Sequence, residues 1–271
     1  MTGLGAELPP MADGLCDEPT LPLPYYSDGT VTLYHGRMQD VVPLLDPVDL
    51  ICTDPPYGET SLEWDRWPSG WPAIVAPLAR SMWCFGSMRM FLDHVQEFNG
   101  WKFAQDVVWR KQQGTGLQAD RFRRIHEHTL HFYRGEWSQL HRQVPRVVTN
   151  SRATVMHRDP ASSPTHQAAT RSGGTYETGG TALEVSVLNV RNMHGRASHP
   201  TEKPTGILEP LIAYSCRPGG TVLDVFAGSG STLDAARRLG RKAIGVEADE
   251  GYCEVIANRM RSGVLDFGGA A

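Results

Sequence analysis

The fold is decided by the stretch Leu223-Asp-Val-Phe-Ala-Gly-Ser-Gly-Ser-Thr232. It begins inside an apolar strand candidate, Thr221–Phe226, and leads through a glycine-rich turn into a helix candidate, Thr232–Leu239. Another strand candidate, Lys242–Glu247, follows, and strands that alternate with helices indicate an α/β fold with a parallel sheet. Glycines at such a turn let the backbone approach a ligand, and the start of the helix offers free N–H groups. Because Glu247 ends the next strand, where a carboxylate commonly binds two ribose hydroxyl groups, the pattern predicts a nucleoside-containing cofactor.

A dinucleotide site is the first alternative for this turn. The third glycine of the G-x-G-x-x-G pattern is replaced by Leu233, and the turn lies late in the chain instead of opening a domain. A turn that only connects a strand to a helix is the second alternative, because glycine turns are common. The turn on its own leaves these alternatives open.

A second motif, Asp54-Pro-Pro-Tyr57, follows the apolar strand candidate Val48–Cys52. It therefore lies at the carboxyl end of a buried strand, where open α/β sheets bind their ligands. Pro55 and Pro56 have fixed φ angles, so the Asp54 carboxylate and the Pro55 carbonyl can form a rigid pair of acceptors for an exocyclic –NH2 group. Accepting both N–H hydrogens would free the nitrogen lone pair for attack, and Tyr57 offers a flat face on which a base can stack. A polar turn at a strand end is the alternative.

The composition of the 271 residues excludes several classes of protein. Hydrophobic residues make up 40% and charged residues 21%, which is typical of a globular protein of one large or two small domains. The sequence contains neither an apolar run of about 18 residues nor a signal peptide, so we expect a cytoplasmic protein without membrane contact. The five cysteines form no C-x-x-C pair, which argues against a disulfide framework and a cysteine-based zinc site, and no metal site is predicted.

Four segments are expected from changes in composition along the chain. Residues 1–28 are rich in proline and glycine and are predicted to be a flexible tail. Residues 29–133 contain apolar strand candidates and the Asp-Pro-Pro-Tyr motif. Residues 134–198 are rich in Ser, Thr, Gly, Arg and His and look inserted or appended, whereas residues 199–271 alternate helix and strand patterns and contain the glycine-rich turn.

Together, Asp54–Tyr57 and Phe226-Ala-Gly-Ser-Gly230 resemble the motifs of the DNA amino-methyltransferases, which use S-adenosyl-L-methionine. The catalytic motif precedes a variable region and the cofactor motif comes last, an order similar to that of the beta class of this family. The resemblance implies a circularly permuted Rossmann-like α/β fold. It also implies a mostly parallel seven-stranded sheet with helices on both faces and an inserted target-recognition region in residues 134–198.

The resemblance also implies the residues of the cofactor site. His199–Pro204 looks like the family segment that binds the methionine end of the cofactor, with Thr201 and Lys203 at its carboxylate. Leu33–Asp40 looks like the segment whose acid contacts the adenine, although Gln39 departs from the glycine that is common there. The complete set of expected cofactor-binding residues is Asp40, Thr53, Asp54, His199, Thr201, Lys203, Phe226, Ala227, Gly228, Ser229, Gly230, Ser231, Thr232 and Glu247. Lys111 and Glu127 lie in strands that also resemble family strands, and we interpret both as residues that stabilise the fold.

The activity implied by the resemblance is direct methyl transfer to a base that is flipped out of duplex DNA. An acid at the first motif position mostly accompanies adenine-N6 enzymes of this family, so Asp54 favours adenine over cytosine-N4. Methylation of RNA or of a protein amide, and a non-catalytic DNA-binding module, are further alternatives. The resemblance leaves open a homodimer and a cognate restriction endonuclease as partners.

The net charge of −4 argues against a DNA partner until its distribution is considered. Residues 111–200 contain 12 lysines and arginines and only 6 acids, so a basic segment lies within an acidic chain. Eleven of the twelve are arginines, which suit phosphate and guanine contacts. The residues expected to bind DNA are Arg121, Arg123, Arg124, Arg142, Arg146, Arg152 and Arg158.

Overall fold

The computed structural model describes residues 20–115, 119–120, 122–148, 181–191 and 202–262. The strands are β1 (Tyr26–Ser27), β2 (Val31–His35), β3 (Leu50–Thr53), β4 (Ser81–Gly86), β5 (Lys102–Thr115), β6 (Arg124–Tyr133), β7 (Arg146–Val148), β8 (Thr181–Leu183), β9 (Val187–Asn189), β10 (Thr221–Asp224) and β11 (Lys242–Glu247). The helices are α1 (Met38–Val41), α2 (Trp71–Val75), α3 (Met88–Asp93), α4 (Thr205–Ser215), α5 (Ser231–Arg238) and α6 (Glu250–Ser262). Short 3-10 turns cover Val42–Leu44, Val95–Phe98 and Trp137–Gln139.

Within these residues the main sheet has nine strands in the order β1-β2-β11-β10-β3-β4-β6-β5-β9. Strands β2, β11, β10, β3 and β4 pair in parallel, and β6 is antiparallel to both β4 and β5. The α/β class and the mostly parallel sheet are therefore confirmed. The two strands beyond the predicted seven are short edge additions, since β1 has two residues and β9 has three.

Helices cover both faces of the sheet because the central strands are buried on both sides. Leu50 and Cys52 of β3 belong to one apolar cluster, which includes residues of α4, α5 and α6. Ile51, between them in sequence, belongs to a second cluster with residues of α1, α2 and α3. Successive strand residues point to opposite faces, so this continuous apolar run is typical of a parallel sheet between two helical layers.

The segments outside the central sheet differ from the expectation in two respects. Tyr26–Ser27, at the end of the predicted tail, pair antiparallel with β2 because Asp28 folds the chain back by accepting hydrogen bonds from the amides of Thr30 and Val31. In the predicted target-recognition region, β7 and β8 form a separate two-stranded sheet, whereas β9 pairs with β5 of the main sheet. The division into four segments stays a prediction. No helix in the described ranges has the length and apolarity that a membrane span requires.

Candidate active site

A cleft of about 1350 Å³ lies at the carboxyl ends of the parallel strands. Parallel strands place their carboxyl ends at one edge, so β3 and β10 bring the two sequence motifs to the same place. Twelve of the residues predicted for catalysis or cofactor binding line this cleft: Asp54, Pro55, Pro56, Tyr57, Lys203, Phe226, Ala227, Gly228, Ser229, Ser231, Thr232 and Glu247.

Three predicted cofactor residues are described by the structure but do not line the cleft. Thr53 is buried, and its hydroxyl donates to the Asp224 carboxylate over 2.7 Å. Gly230 packs against Ile256: its φ is +77°, and an alanine Cβ at this position would lie 3.0 Å from the Ile256 side chain. Asp40 is exposed on α1, and Gln39 lines the cleft instead. His199 and Thr201 lie outside the described residues.

The cofactor half of the cleft is organised around Glu247, the last residue of β11. Its carboxylate oxygens accept hydrogen bonds from the amide of Gly228 over 2.7 Å and from the amide of Asp249 over 2.9 Å. Burial raises the pKa of Glu247 above its ordinary value. The carboxylate is thus fixed beside the glycine-rich turn, where remaining lone pairs can accept hydrogen bonds from hydroxyl groups of a ligand.

Asp224, the last residue of β10, connects the two halves of the site. Its carboxylate accepts hydrogen bonds from the Thr53 hydroxyl over 2.7 Å and from the Phe226 amide over 3.1 Å, and Thr232 of α5 also contacts it. Burial raises the pKa of Asp224 to about 6, because a carboxylate surrounded by protein loses the hydration that favours its charged form. Asp224 therefore connects the end of β3 to the glycine-rich turn and to α5.

The catalytic half of the cleft contains two acids, Asp54 and Glu127, which Tyr57 and Lys203 connect. The Tyr57 hydroxyl lies 2.6 Å from an Asp54 oxygen and 2.5 Å from a Glu127 oxygen. The Lys203 ammonium bonds to the other Asp54 oxygen and lies 3.1 Å from Glu127. Burial raises the pKa of the Asp54 carboxyl above its ordinary value, although the Lys203 charge opposes this change.

Glu127 and Lys111 are functional candidates that sequence reasoning interpreted as structural. Glu127 is only 7% exposed and lines the cleft, and Lys111 approaches its second oxygen to 2.5 Å. The two ammonium groups of Lys203 and Lys111 hold the pKa of Glu127 down at about 2. The Lys203 ammonium group bridges Asp54 and Glu127. Its expected contact with the cofactor carboxylate stays a prediction.

Comparison with known proteins agrees with this geometry. A family model of N6/N4 methyltransferases, described as DNA methylase, matches residues 48–259. The chain belongs to this DNA methylase family. The resemblance inferred from the Asp54–Tyr57 and Phe226–Gly230 motifs is therefore confirmed.

Two curated relatives match the chain over a short region. The type II methyltransferase M2.DpnII of Streptococcus pneumoniae is 42% identical over 64 residues, and M2.LlaDCHI of Lactococcus lactis subsp. cremoris is 43% identical over 65 residues. Each match covers 24% of this chain and 24% of the relative, so the chain aligns with about a quarter of either protein.

Solved structures match over most of the chain and support the fold. The M1.HpyAVI–SAM complex has a TM-score of 0.57 at 23% identity and covers 84% of this chain and 99% of its own. The PvuII DNA methyltransferase, described as cytosine-N4-specific, has a TM-score of 0.58 at 16% identity and covers 91% and 90% of the two chains. At these identities the likeness extends to the arrangement of strands and helices.

The described arginines among those predicted to contact DNA are distributed over different parts of the structure. Arg124, at the start of β6, lines the cleft and lies 3.5 Å from Glu59. Arg123 is exposed beside a smaller cavity of about 430 Å³. Arg142 packs over the Trp137 ring at 4.5 Å, beyond the end of β6 that is remote from the cleft.

Of the remaining predicted arginines, the structure describes Arg146, which does not line the cleft. Arg146 donates from β7 to the hydroxyl and carbonyl oxygens of Thr181. Arg121, Arg152 and Arg158 lie outside the described residues. In the part of the chain that the structure describes, no three His, Cys, Asp or Glu side chains are grouped as metal ligands would be.

Proposed function

We propose that this DNA methylase transfers the methyl group of S-adenosylmethionine to the exocyclic N6 amine of adenine in duplex DNA. The observation that carries the proposal is the common cleft, in which Asp54 and Tyr57 lie on one side and the turn of Gly228 with Glu247 lies on the other. Family membership supports an N6 or N4 amine as the acceptor. The acid at position 54 favours adenine on family resemblance.

The residues of the cofactor half suit S-adenosylmethionine. Glu247 is a fixed carboxylate that can accept hydrogen bonds from ribose hydroxyls, and Phe226 adds an aromatic surface to the cleft. Gly228 has a left-handed φ of +52°, which glycine adopts without strain, and the nearest atom to an added Cβ would be 3.9 Å away, so space for a ligand remains beside the turn. When bound, S-adenosylmethionine supplies a sulfonium methyl group that is already activated for attack.

The residues of the catalytic half suit an amine nucleophile. The Asp54 carboxylate and the Pro55 carbonyl would accept the two N–H hydrogens, which localises the nitrogen lone pair for attack. The new N–C bond would form as the C–S bond breaks with its electron pair on sulfur, and the amine would lose one proton to the Asp54 carboxylate that accepts its hydrogen bond. Tyr57 would stack on the base once it is flipped into the cleft.

Analysis of the methylated product tests this proposal. The purified chain, labelled S-adenosylmethionine and unmethylated genomic DNA should yield N6-methyladenine after digestion to nucleosides, while RNA and protein in parallel reactions stay unlabelled. Recovery of N4-methylcytosine would move the assignment to cytosine, and label only in RNA or protein would overturn the DNA substrate. Asp54→Ala should abolish transfer and retain cofactor binding, whereas the exposed control Asp46→Ala should behave as wild type.

The proposal also includes a cytoplasmic location, a homodimer and a cognate restriction endonuclease. A homodimer would be detected by light scattering at micromolar concentration, and a monomer there would contradict it. A cognate restriction endonuclease would fail to cut DNA that this methylase has modified. Cleavage of fully modified DNA would exclude that nuclease as a partner.

A further inference from the structure

Glu127 is a buried carboxylate that the proposed mechanism does not use. It lies near the start of β6, and its oxygens contact the Tyr57 hydroxyl at 2.5 Å, the Lys203 ammonium at 3.1 Å and the Lys111 ammonium at 2.5 Å. Two of these groups, Tyr57 and Lys203, also contact Asp54. Glu127 is therefore connected to Asp54, the proposed acceptor of the target amine, through Tyr57 and Lys203.

The hydrogen-bond inventory makes the two carboxylates competitors. The Tyr57 hydroxyl carries one proton and can donate fully to only one of the acids that flank it, Asp54 or Glu127. A carboxylate that loses this donor needs another, because an unsatisfied buried acceptor is costly. A target amine that donates to Asp54 supplies that replacement, and the Tyr57 proton can then stay on the Glu127 side.

We propose that Glu127 is a positioning residue that takes over the Tyr57 hydroxyl and the Lys203 ammonium when the target amine binds to Asp54. By drawing the Lys203 charge away from Asp54, Glu127 keeps the Asp54 carboxylate a strong hydrogen-bond acceptor. Lys111 holds Glu127 from its other side and so balances the second negative charge in the cleft. The role of the amine rests on the proposed function, whereas the coupling between Asp54 and Glu127 can be measured in the free protein.

The charged surroundings of Asp54 determine the sign of this coupling. Glu127 raises the pKa of Asp54 through its negative charge, and Lys203 lowers it. Converting Glu127 to a neutral amide would leave Lys203 to Asp54 alone, so the Asp54 pKa should fall. Among the described residues, Asp54 also interacts with Asp224 from β10 and with the buried thiols of Cys52 and Cys84 from β3 and β4, besides Glu127, Lys203 and Tyr57.

A titration of the cofactor-free protein tests the inference without any activity. In protein labelled with ¹³Cγ-aspartate, the Asp54 carboxyl resonance is assigned by its loss in Asp54→Asn and is followed against pH. Glu127→Gln should lower its midpoint by about one pH unit or more, the usual effect of one close charge. Glu127→Asp, which retains the charge, should restore most of the wild-type midpoint.

The titration of Asp54 includes a control variant, Glu97→Gln, and a second test variant, Lys111→Met. Glu97→Gln alters a partly buried carboxylate that bonds to Trp67 and the Gly70 amide outside the cleft, so the Asp54 midpoint should stay unchanged. If Glu127→Gln fails to fold, Lys111→Met is the second variant: Lys111 pairs with Glu127, and the loss of its positive charge should raise the Asp54 midpoint. An Asp54 midpoint that is unmoved by either change would overturn the inference.

Single-turnover methylation then connects the coupling to the reaction. If wild-type protein methylates DNA, Glu127→Gln should slow the transfer step by about 10- to 100-fold, less than most direct acid–base contributions, because Glu127 acts through Asp54. The acid-side midpoint of its pH–rate profile should lie at a lower pH than that of the wild type. Equal rates and equal pH profiles would reject the positioning role, whereas absence of transfer by the wild type would instead reject the proposed function.

Discussion

Replacing Asp224 by asparagine removes a buried titratable group from the junction of the two halves of the cleft. Asp224 is 3% exposed and accepts hydrogen bonds from the Thr53 hydroxyl and the Phe226 amide. Its pKa is raised from the ordinary 3.8 to about 6 by burial. Between these two values the folded protein binds more protons than the unfolded chain, so the free energy of unfolding falls as the pH rises.

The magnitude follows from the two pKa values. A carboxyl group with a pKa of about 6 in the folded state and 3.8 in the unfolded state costs the fold about 3 kcal/mol at high pH. About 2 kcal/mol of this cost develops between about pH 4.5 and about pH 7.5. Asparagine does not titrate, so the stability of Asp224→Asn relative to wild type should rise by about 2 kcal/mol over this interval.

Urea denaturation of both proteins at the two pH values measures this change. A constant offset is expected, because the amide alters the hydrogen bonds with Thr53 and Phe226, and it cancels when the two pH values are compared. Asp46→Asn, at an exposed position, serves as the control and should show no such change. A relative stability of Asp224→Asn that stays constant within about 0.5 kcal/mol would refute the reasoning, since a buried group with a raised pKa must produce the dependence.

Three further predictions concern the cofactor turn and the DNA contacts. Glu247→Gln should weaken S-adenosylmethionine binding by about 10- to 100-fold in calorimetry, because hydrogen bonds to a charged acceptor are worth about 1.5–3 kcal/mol. Gly230→Ala should lower the free energy of unfolding by about 1–3 kcal/mol, more than Gly240→Ala, since both glycines have positive φ but only position 230 lacks room for a Cβ. Arg124→Ala should reduce the slope of log K for DNA binding against log salt by the amount of about one phosphate contact, and Arg142→Ala should leave the slope unchanged. Equal effects of the two substitutions would contradict the placement of these arginines.

The central strands and the two motifs could be predicted because local pattern determines them. The strand Lys242–Glu247 was predicted with the bounds that the structure has, and Thr221–Phe226 contains β10. Apolar runs of this length bounded by glycine or proline are typical of strands buried on both faces. Parallel pairing then brings Asp54 and the glycine-rich turn to one edge, so their meeting in one cleft also follows from the sequence.

Positions that depend on the direction of a side chain were predicted less well. Met38 and Val41 of α1 face the core, and Asp40 between them is exposed, while Gln39 reaches the cleft. The charge count along residues 111–200 identified a basic segment, but a count carries no direction. Arg142 accordingly lies beyond the end of β6 that is remote from Arg124 and the cleft.

Glu127 illustrates how strand direction changes the interpretation of a residue. In a parallel strand, a residue near the start lies far from the carboxyl edge where ligands bind, and Glu127 lies in the first half of its strand. Because β6 is antiparallel to β4, its start lies at that same edge, and Lys111 near the end of the adjacent β5 meets it there. A buried acid at the start of β6, which runs opposite to both of its neighbours in the described sheet, is thus a candidate for the active site rather than for the core. The same argument explains why the catalytic half contains a second carboxylate that neither motif includes.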